Sequence, residues 1–138
     1  LVGGGAVLGK RFLHDLYSGI LSKEIKDDFE KKMKLSLPQI IDRIYRQPLA
    51  NRFLASLATF IHDHIDDAGV EALVKHNFED FIRVHVVPFG RDYLPLSFVG
   101  SIAHFFADQL TEVVEAEEYT MGTILHSPIE GLINYHQA

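Results

Sequence analysis

The sequence predicts a helix-rich α/β fold, in which a helical region over residues 6–90 precedes a βαβα unit over residues 94–136. Apolar residues recur at helical spacing through the first region, which is the pattern of helices with one buried face. Two short apolar runs with a helical pattern between them mark the second region. We expect residues 1–138 to form a single domain, because this length suffices for one hydrophobic core.

Five helical patterns fill the first region, and several of their boundaries carry characteristic residues. Ser36 and Pro38 are typical of a helix start, because serine caps free backbone N–H groups and proline fits the first turn. Pro48 ends the helix that begins there, and Gly69 marks a break before the last pattern. The predicted helices cover residues 6–21, 22–34, 36–45, 53–65 and 70–82.

The second region predicts strands at residues 94–99 and 120–125, with a helical pattern over residues 102–114 between them. A last helix is predicted from residue 127 to about residue 136. We expect the two strands to lie parallel, joined by a right-handed crossover. Because parallel sheets usually contain more than two strands, we expect the other strands to come from sequence upstream of Leu1 or from another chain.

Composition excludes several classes of protein. The chain contains no cysteine, which rules out a disulfide scaffold, a thiolate metal site and a cysteine nucleophile, and which fits a cytoplasmic protein. No apolar run approaches the ~18 residues of a membrane span. All 13 Lys and Arg residues lie before residue 93, where 13 acidic residues balance them. Nucleic-acid binding needs a concentrated basic face, so we expect neither a nucleic acid nor a membrane as a partner.

The first candidate site is formed by Gly100 and Ser101, which follow the strand over residues 94–99 and precede a helical pattern. Glycine lets a ligand approach the backbone closely, and a helix N-terminus offers free N–H groups with partial positive charge. Ligands of open α/β sheets bind beyond the carboxyl ends of the strands, where this turn lies. The alternative is an ordinary turn with a serine cap.

The second candidate site is formed by Gly3, Gly4 and Gly5, which precede the first helix. A glycine run in this position can hold phosphate with its backbone N–H groups. Lys10 does not complete a P-loop, because Arg11 stands where the motif requires Ser or Thr. A flexible chain end or a cloning remnant is the alternative.

No metal site and no catalytic residue is predicted. His62 and Asp66 share a helical face, but the neighbouring His64 points about 200° away from His62, so the two imidazoles cannot bind one ion. We interpret this stretch as the polar end of a helix. No serine has the G-x-S-x-G context of a nucleophile, and no residue stands out as a general base.

Four stretches of the chain together resemble a known family. They are Gly-Ala-x-Leu-Gly-Lys-Arg at 5–11, the segment at 45–55 that begins Tyr-Arg-Gln-Pro, Phe-Val-Gly-Ser-Ile-Ala at 98–103, and Ser-Pro-Ile-Glu-Gly-Leu-Ile at 127–133. In this order they resemble the C-terminal part of the BadF/BadG-type ATPases, a group that includes N-acetylglucosamine kinase-like proteins. The resemblance spans essentially the whole chain.

The resemblance implies the C-terminal lobe of the actin-like ATPase (ribonuclease H-like) fold, which is shared with sugar kinases. It further implies ATP and Mg²⁺ as cofactors, a small amino sugar such as N-acetylglucosamine as substrate, and adenosine bound at Gly100 and Ser101. Gly3, Gly4 and Gly5 match the place of an Asp-Glu-Gly-Ser-Gly stretch at the cleft between the lobes. Here Leu1, Val2 and Gly4 replace the Asp, Glu and Ser of that stretch.

The same resemblance assigns the first phosphate loop and the catalytic aspartate to an N-terminal lobe, which is absent from this chain. We therefore expect the parent protein to be an ATP-dependent carbohydrate kinase and this lobe alone to be inactive. Two alternatives stay open: an activator ATPase of the BadF/BadG type without a sugar substrate, and a helical interaction or regulatory domain without a nucleotide site. The sequence also leaves open a homodimer.

Overall fold

The computed structural model describes residues 5–46, 50–90, 95–125 and 134–137 of the chain. Within these residues, seven α-helices and three β-strands confirm the predicted helix-rich α/β class. The elements are α1 (Gly5–Tyr17), α2 (Lys23–Met33), α3 (Leu37–Tyr45), α4 (Ala50–Asp63), α5 (Ala68–His85), a 3-10 helix (Val87–Phe89), β1 (Leu96–Val99), α6 (Ser101–Phe105), α7 (Ala107–Ala116), β2 (Met121–Leu125) and β3 (Asn134–Gln137).

Side-chain caps explain where several helices begin. The Ser36 hydroxyl accepts a hydrogen bond from the Gln39 backbone N–H at 3.4 Å, and the Gln39 side chain accepts one from the Ser36 N–H at 2.8 Å. This reciprocal capping box confirms the helix start predicted at Ser36. Asp67 caps α5 in a similar way, because its carboxylate accepts a hydrogen bond from the Val70 N–H at 3.0 Å.

The core of the helical region is built around the contact between α1 and α4. Gly5 and Gly9 lie one turn apart on α1 and face Leu54 and Ala55 of α4, so the two helix backbones approach closely. Beside this contact the rings of Phe12, Phe29 and Phe60 pack edge-on or tilted, with centroids 5.2–5.8 Å apart. These three rings join α1, α2 and α4 into one core.

β1 is the middle strand of a three-stranded sheet with the order β2-β1-β3. It pairs with β2 in parallel, as predicted, and Val99 lies opposite Leu125. The register shifts between Leu96 and Phe98. At this shift the Ser97 hydroxyl accepts a hydrogen bond from the Thr123 backbone N–H at 3.2 Å, which replaces a bond of the regular ladder.

The predicted last helix is wrong for residues 134–137, which form β3 and pair with β1 in antiparallel orientation. The start predicted for that helix lies in residues 126–133, outside the described residues. A strand has backbone hydrogen-bonding groups along both edges, and β2 satisfies only one edge of β1. The chain itself therefore supplies a third strand, which the sequence had led us to expect from elsewhere.

The helical pattern over residues 102–114 also differs from the prediction, because it forms two helices. The break falls at Phe106, whose backbone leaves the helical region with φ −113° and ψ 40° while its side chain is fully buried. The predicted βαβα unit is thus corrected to β1-α6-α7-β2-β3. The interruption keeps the helical spacing of apolar residues almost intact, so periodicity does not reveal it.

Tyr17 gives the fold a predicted dependence on alkaline pH. Burial and a 3.1 Å hydrogen bond donated to the Glu30 carboxylate raise the pKa of Tyr17 from 10.0 to about 12. Between these values the unfolded chain releases the phenol proton while the folded chain keeps it, so the free energy of unfolding falls as pH rises through this window. We expect Tyr17→Phe to lose less stability than the wild type between about pH 10 and about pH 12.

Thermal unfolding followed by circular dichroism across this pH range tests the prediction. Tyr45→Phe is the matched control, because Tyr45 is 79% exposed and no hydrogen bond joins it to a carboxylate among the described residues. If the unfolding temperature of Tyr17→Phe fell as steeply with rising pH as that of the wild type, the pH dependence could not be assigned to Tyr17.

Candidate functional site

The candidate site lies where the parallel strands β1 and β2 reach their carboxyl ends. Gly100 follows β1 directly, and its backbone N–H donates a hydrogen bond to the Leu125 carbonyl, the last residue of β2, at 3.0 Å. The Gly100 carbonyl accepts a hydrogen bond from the His104 N–H at 3.1 Å, which begins α6. The turn is therefore fixed to both strands and to the helix that follows.

Gly100 has a backbone conformation that favours glycine. Its φ of 138° and ψ of 162° lie in a region that residues with a Cβ rarely adopt. Gly100 is the N-cap of α6 without a side-chain cap, and Ser101 is the first residue inside the helix. The structure therefore does not form the serine cap that was the alternative interpretation, because Gly100 occupies the capping position.

The structure describes one residue of the second candidate site. Gly3 and Gly4 lie outside the described residues, whereas Gly5 is the first residue of α1 and is buried. A Cβ at Gly5 would lie 3.0 Å from the Cα of Ala55 and 3.6 Å from the Cδ1 of Ile102. The start of α1 and the first turn of α6 therefore lie against the same part of α4, so the two candidate segments approach one another in space.

Arg52 is a candidate residue that the sequence reasoning missed. Arg52 is exposed. It lies three residues before Ala55 on α4, so helical spacing places it beside Ala55 on the side of α4 that faces Gly5. A guanidinium group binds phosphate oxygens well, with up to five N–H donors in a rigid plane. Arg52 belongs to the stretch at 45–55, and only the helix packing shows that this stretch lies near Gly5.

The rings of His62, in α4, and His64, directly after α4, pack against aromatic neighbours. The His62 ring stacks on Phe105 with centroids 5.5 Å apart, and the His64 ring stacks on Phe60 at 3.9 Å. His64 Nδ1 also lies 2.9 Å from the Phe60 carbonyl oxygen. Among the described residues, no group of three or more His, Asp or Glu side chains could hold a metal ion.

Comparison with known proteins finds close similarity to a solved structure. No family model and no curated protein matches the chain. The crystal structure of the putative N-acetylglucosamine kinase from Porphyromonas gingivalis superposes with a TM-score of 0.87 and 37% sequence identity over 92% of this chain. The chain resembles part of that kinase.

The match with the Porphyromonas kinase confirms the resemblance to an N-acetylglucosamine kinase-like protein predicted from the sequence, and its partial coverage is consistent with a C-terminal part of such a kinase. The chain spans 45% of the Porphyromonas kinase, which is less than half of that protein. Within the described residues, no helix has the length and hydropathy needed to cross a membrane.

Proposed function

We propose that this chain is the nucleotide-binding lobe of an ATP-dependent sugar kinase that phosphorylates N-acetylglucosamine or a similar amino sugar. The observation that carries the proposal is the likeness of 92% of the chain to a protein described as a putative N-acetylglucosamine kinase, at 37% identity. Because the chain spans 45% of that protein, the proposal assigns the rest of the catalytic centre to a second lobe.

In this proposal the Gly100 turn holds the adenosine part of ATP. Gly100 has no side chain, so a ligand can lie directly against its backbone. Its N–H donates a hydrogen bond to the Leu125 carbonyl, which holds the turn in place. A rigid backbone surface at the carboxyl ends of parallel strands suits a planar base and its ribose. Arg52 and the start of α1 lie on the neighbouring surface of α4, where they can face the phosphates.

The part of the chain that the structure describes does not offer a ligand set that fits Mg²⁺. Phosphoryl transfer depends on positioning and on neutralising charge around the phosphates with a metal ion. The described residues contain no cluster of carboxylates and imidazoles able to hold such an ion. We therefore assign the Mg²⁺ ligands and the catalytic base to the second lobe, and expect this lobe alone to bind the nucleotide without hydrolysing it.

Replacement of Ser101 by leucine tests the nucleotide site. Ser101 is half-buried at the start of α6, and a larger side chain there would obstruct the surface beside Gly100. We expect Ser101→Leu to weaken the binding of a non-hydrolysable ATP analogue at least tenfold, or about 1.4 kcal/mol, as measured by calorimetry on the whole protein. Gly100→Val would be a poorer choice, because its positive φ makes the substitution strained in any case.

Ser18→Leu is the matched control, because Ser18 is exposed and follows α1 at the end opposite Gly5. Both variants are first compared with the wild type by thermal unfolding. A folded Ser101→Leu protein with unchanged affinity would refute the placement of adenosine. A wild-type protein that binds no ATP analogue would refute the nucleotide-binding function itself.

A coupled assay of ADP release with a panel of amino sugars tests the acceptor. We expect N-acetylglucosamine or a close analogue to raise ATP turnover of the whole protein. Turnover that no sugar changes would refute the sugar-kinase proposal and favour an ATPase without a sugar substrate.

A further inference from the structure

The ring of Phe105 lies one helical turn beyond the start of the proposed nucleotide site. Ser101 and Phe105 are the first and last residues of α6. Their spacing corresponds to about 6 Å along the helix axis and places them on the same side of the helix. A nucleoside is longer than this spacing, so a ligand that begins at Ser101 can reach the ring.

The side of α6 that carries these two residues faces away from the core. Ile102 and Ala103 are buried, so the opposite side of the helix is the one turned inward. Ser101 is half-buried, His104 is exposed, and Phe105 is 43% exposed. The Phe105 ring is therefore accessible to a molecule bound at Ser101.

His62 packs against the Phe105 ring and leaves part of the ring open. The two rings are stacked, with centroids 5.5 Å apart and planes inclined by 30°. Phe106 packs against the same ring edge-on, with centroids 6.2 Å apart. Because Phe105 remains exposed despite both contacts, a further planar group can stack on its ring without displacing either neighbour.

The helix α4 sets the direction in which a nucleotide can lie beside this ring. Ala55 faces Gly5. His62, which stacks on Phe105, follows Ala55 at a distance of about 10 Å along the same face of α4. α6 carries no Lys or Arg to bind a phosphate, whereas Arg52 lies near the Ala55 end of this face. The base of the nucleotide therefore belongs at Phe105, and the phosphates belong toward Gly5.

We propose that Phe105 stacks on the nucleobase of the bound nucleotide. This inference rests on the proposed function, because it takes the ribose to lie at Gly100 and Ser101. Stacking uses the flat face that every nucleobase has and leaves the hydrogen-bonding edges of the base unread. Phe105 therefore contributes affinity for the nucleotide without selecting among bases.

Calorimetry of the whole protein with a non-hydrolysable ATP analogue tests the proposal. Stacking of a base on an aromatic side chain strengthens binding by about 5- to 150-fold. We expect Phe105→Ala to bind the analogue at least about fivefold more weakly, and Phe105→Tyr, which keeps the ring, to stay within about twofold of the wild type. A folded Phe105→Ala protein with wild-type affinity would overturn the proposal.

Ile20→Ala is the matched control for the loss of an exposed apolar side chain. Ile20 is 65% exposed and follows α1 at the end opposite Gly5, so we expect its replacement to leave the affinity unchanged. An equal loss of affinity in Ile20→Ala and Phe105→Ala would contradict a specific contact between Phe105 and the base.

Phe105→Trp gives a spectroscopic measurement of the same contact. The chain contains no tryptophan, so the fluorescence that the variant gains over the wild type reports on this position. We expect the ATP analogue to quench this fluorescence to saturation, because a base stacked on an indole quenches its emission. Inorganic tripolyphosphate and N-acetylglucosamine lack a base and should not quench it. Quenching by either of these, or none by the analogue, would overturn the stacking.

The wild-type protein separates this proposal from the one on which it rests. If the wild type binds no ATP analogue, the nucleotide-binding function is refuted, and the stacking with it. If the wild type binds the analogue and the Phe105 variants bind it equally well, only the stacking is refuted.

Discussion

Replacement of Phe12 by alanine should lower the free energy of unfolding by about 3–5 kcal/mol. Phe12 is fully buried, and its ring lies 5.4 Å from that of Phe29 and 5.8 Å from that of Phe60, measured between centroids. The loss combines the transfer free energy of the ring with the cavity left between α1, α2 and α4. Domains of this size are stable by only about 5–15 kcal/mol, so we expect a large fall in the urea midpoint.

Phe105→Ala is the control for this prediction. Phe105 is 43% exposed and contacts His62 at the surface of α4, so its removal leaves no closed cavity. We expect this variant to lose less than about 1.5 kcal/mol. If the two alanine variants lost equal stability in urea unfolding, the three-ring cluster would not be the centre of the core.

Gly9→Ala should destabilise the protein by about 2 kcal/mol, although alanine is the better helix former. In an open helix this substitution usually adds about 0.5–1 kcal/mol of stability. At Gly9 the new Cβ would lie 2.6 Å from the Leu54 carbonyl oxygen, which belongs to the backbone of α4 and cannot rotate away. The helices must separate, and overpacking of this kind costs about 1–3 kcal/mol.

Gly69→Ala offers a matched comparison for Gly9→Ala. Gly69 is also helical, but its Cβ would meet the Leu21 Cδ2 at 3.1 Å and the Asp67 Oδ2 at 3.2 Å. Both atoms are side-chain ends that can shift by a few tenths of an ångström, so we expect a change within about 1 kcal/mol. The packing interpretation of Gly9 requires that its alanine variant be clearly the less stable of the two in urea unfolding.

Local signals in the sequence predicted much of the fold. Ser36 and Gln39 form a capping box from residues three positions apart, and the apolar stripe through Phe53 and Phe60 marks a buried helix face. Such features involve neighbours along the chain. The strand at residues 134–137 was mistaken for a helix because its pairing with β1 joins residues far apart in sequence. Four residues carry too little periodicity to distinguish strand from helix.

The candidate site was also predictable only where it depends on residues that are neighbours along the chain. Gly100 follows a strand directly, so its position at the carboxyl end of β1 could be inferred from sequence order. Its positive φ and its hydrogen bond to Leu125 depend on the pairing with β2. The approach of Gly5 to Ile102 and the position of Arg52 beside it depend on how the helices pack.

The central position of β1 affects the order in which the molecule can form during synthesis. Both strands that flank β1 come later in the chain, so its hydrogen bonds cannot be completed until residues 121–125 and 134–137 have been translated. The helices α1 to α5 precede β1 and have no need of those residues for their contacts with one another. Translation adds about 5–20 residues per second, so the helices α1 to α5 can pack against one another before β2 and β3 have been synthesised. The turn at Gly100, to which we assign the nucleotide, is then among the last parts of this chain to become ordered.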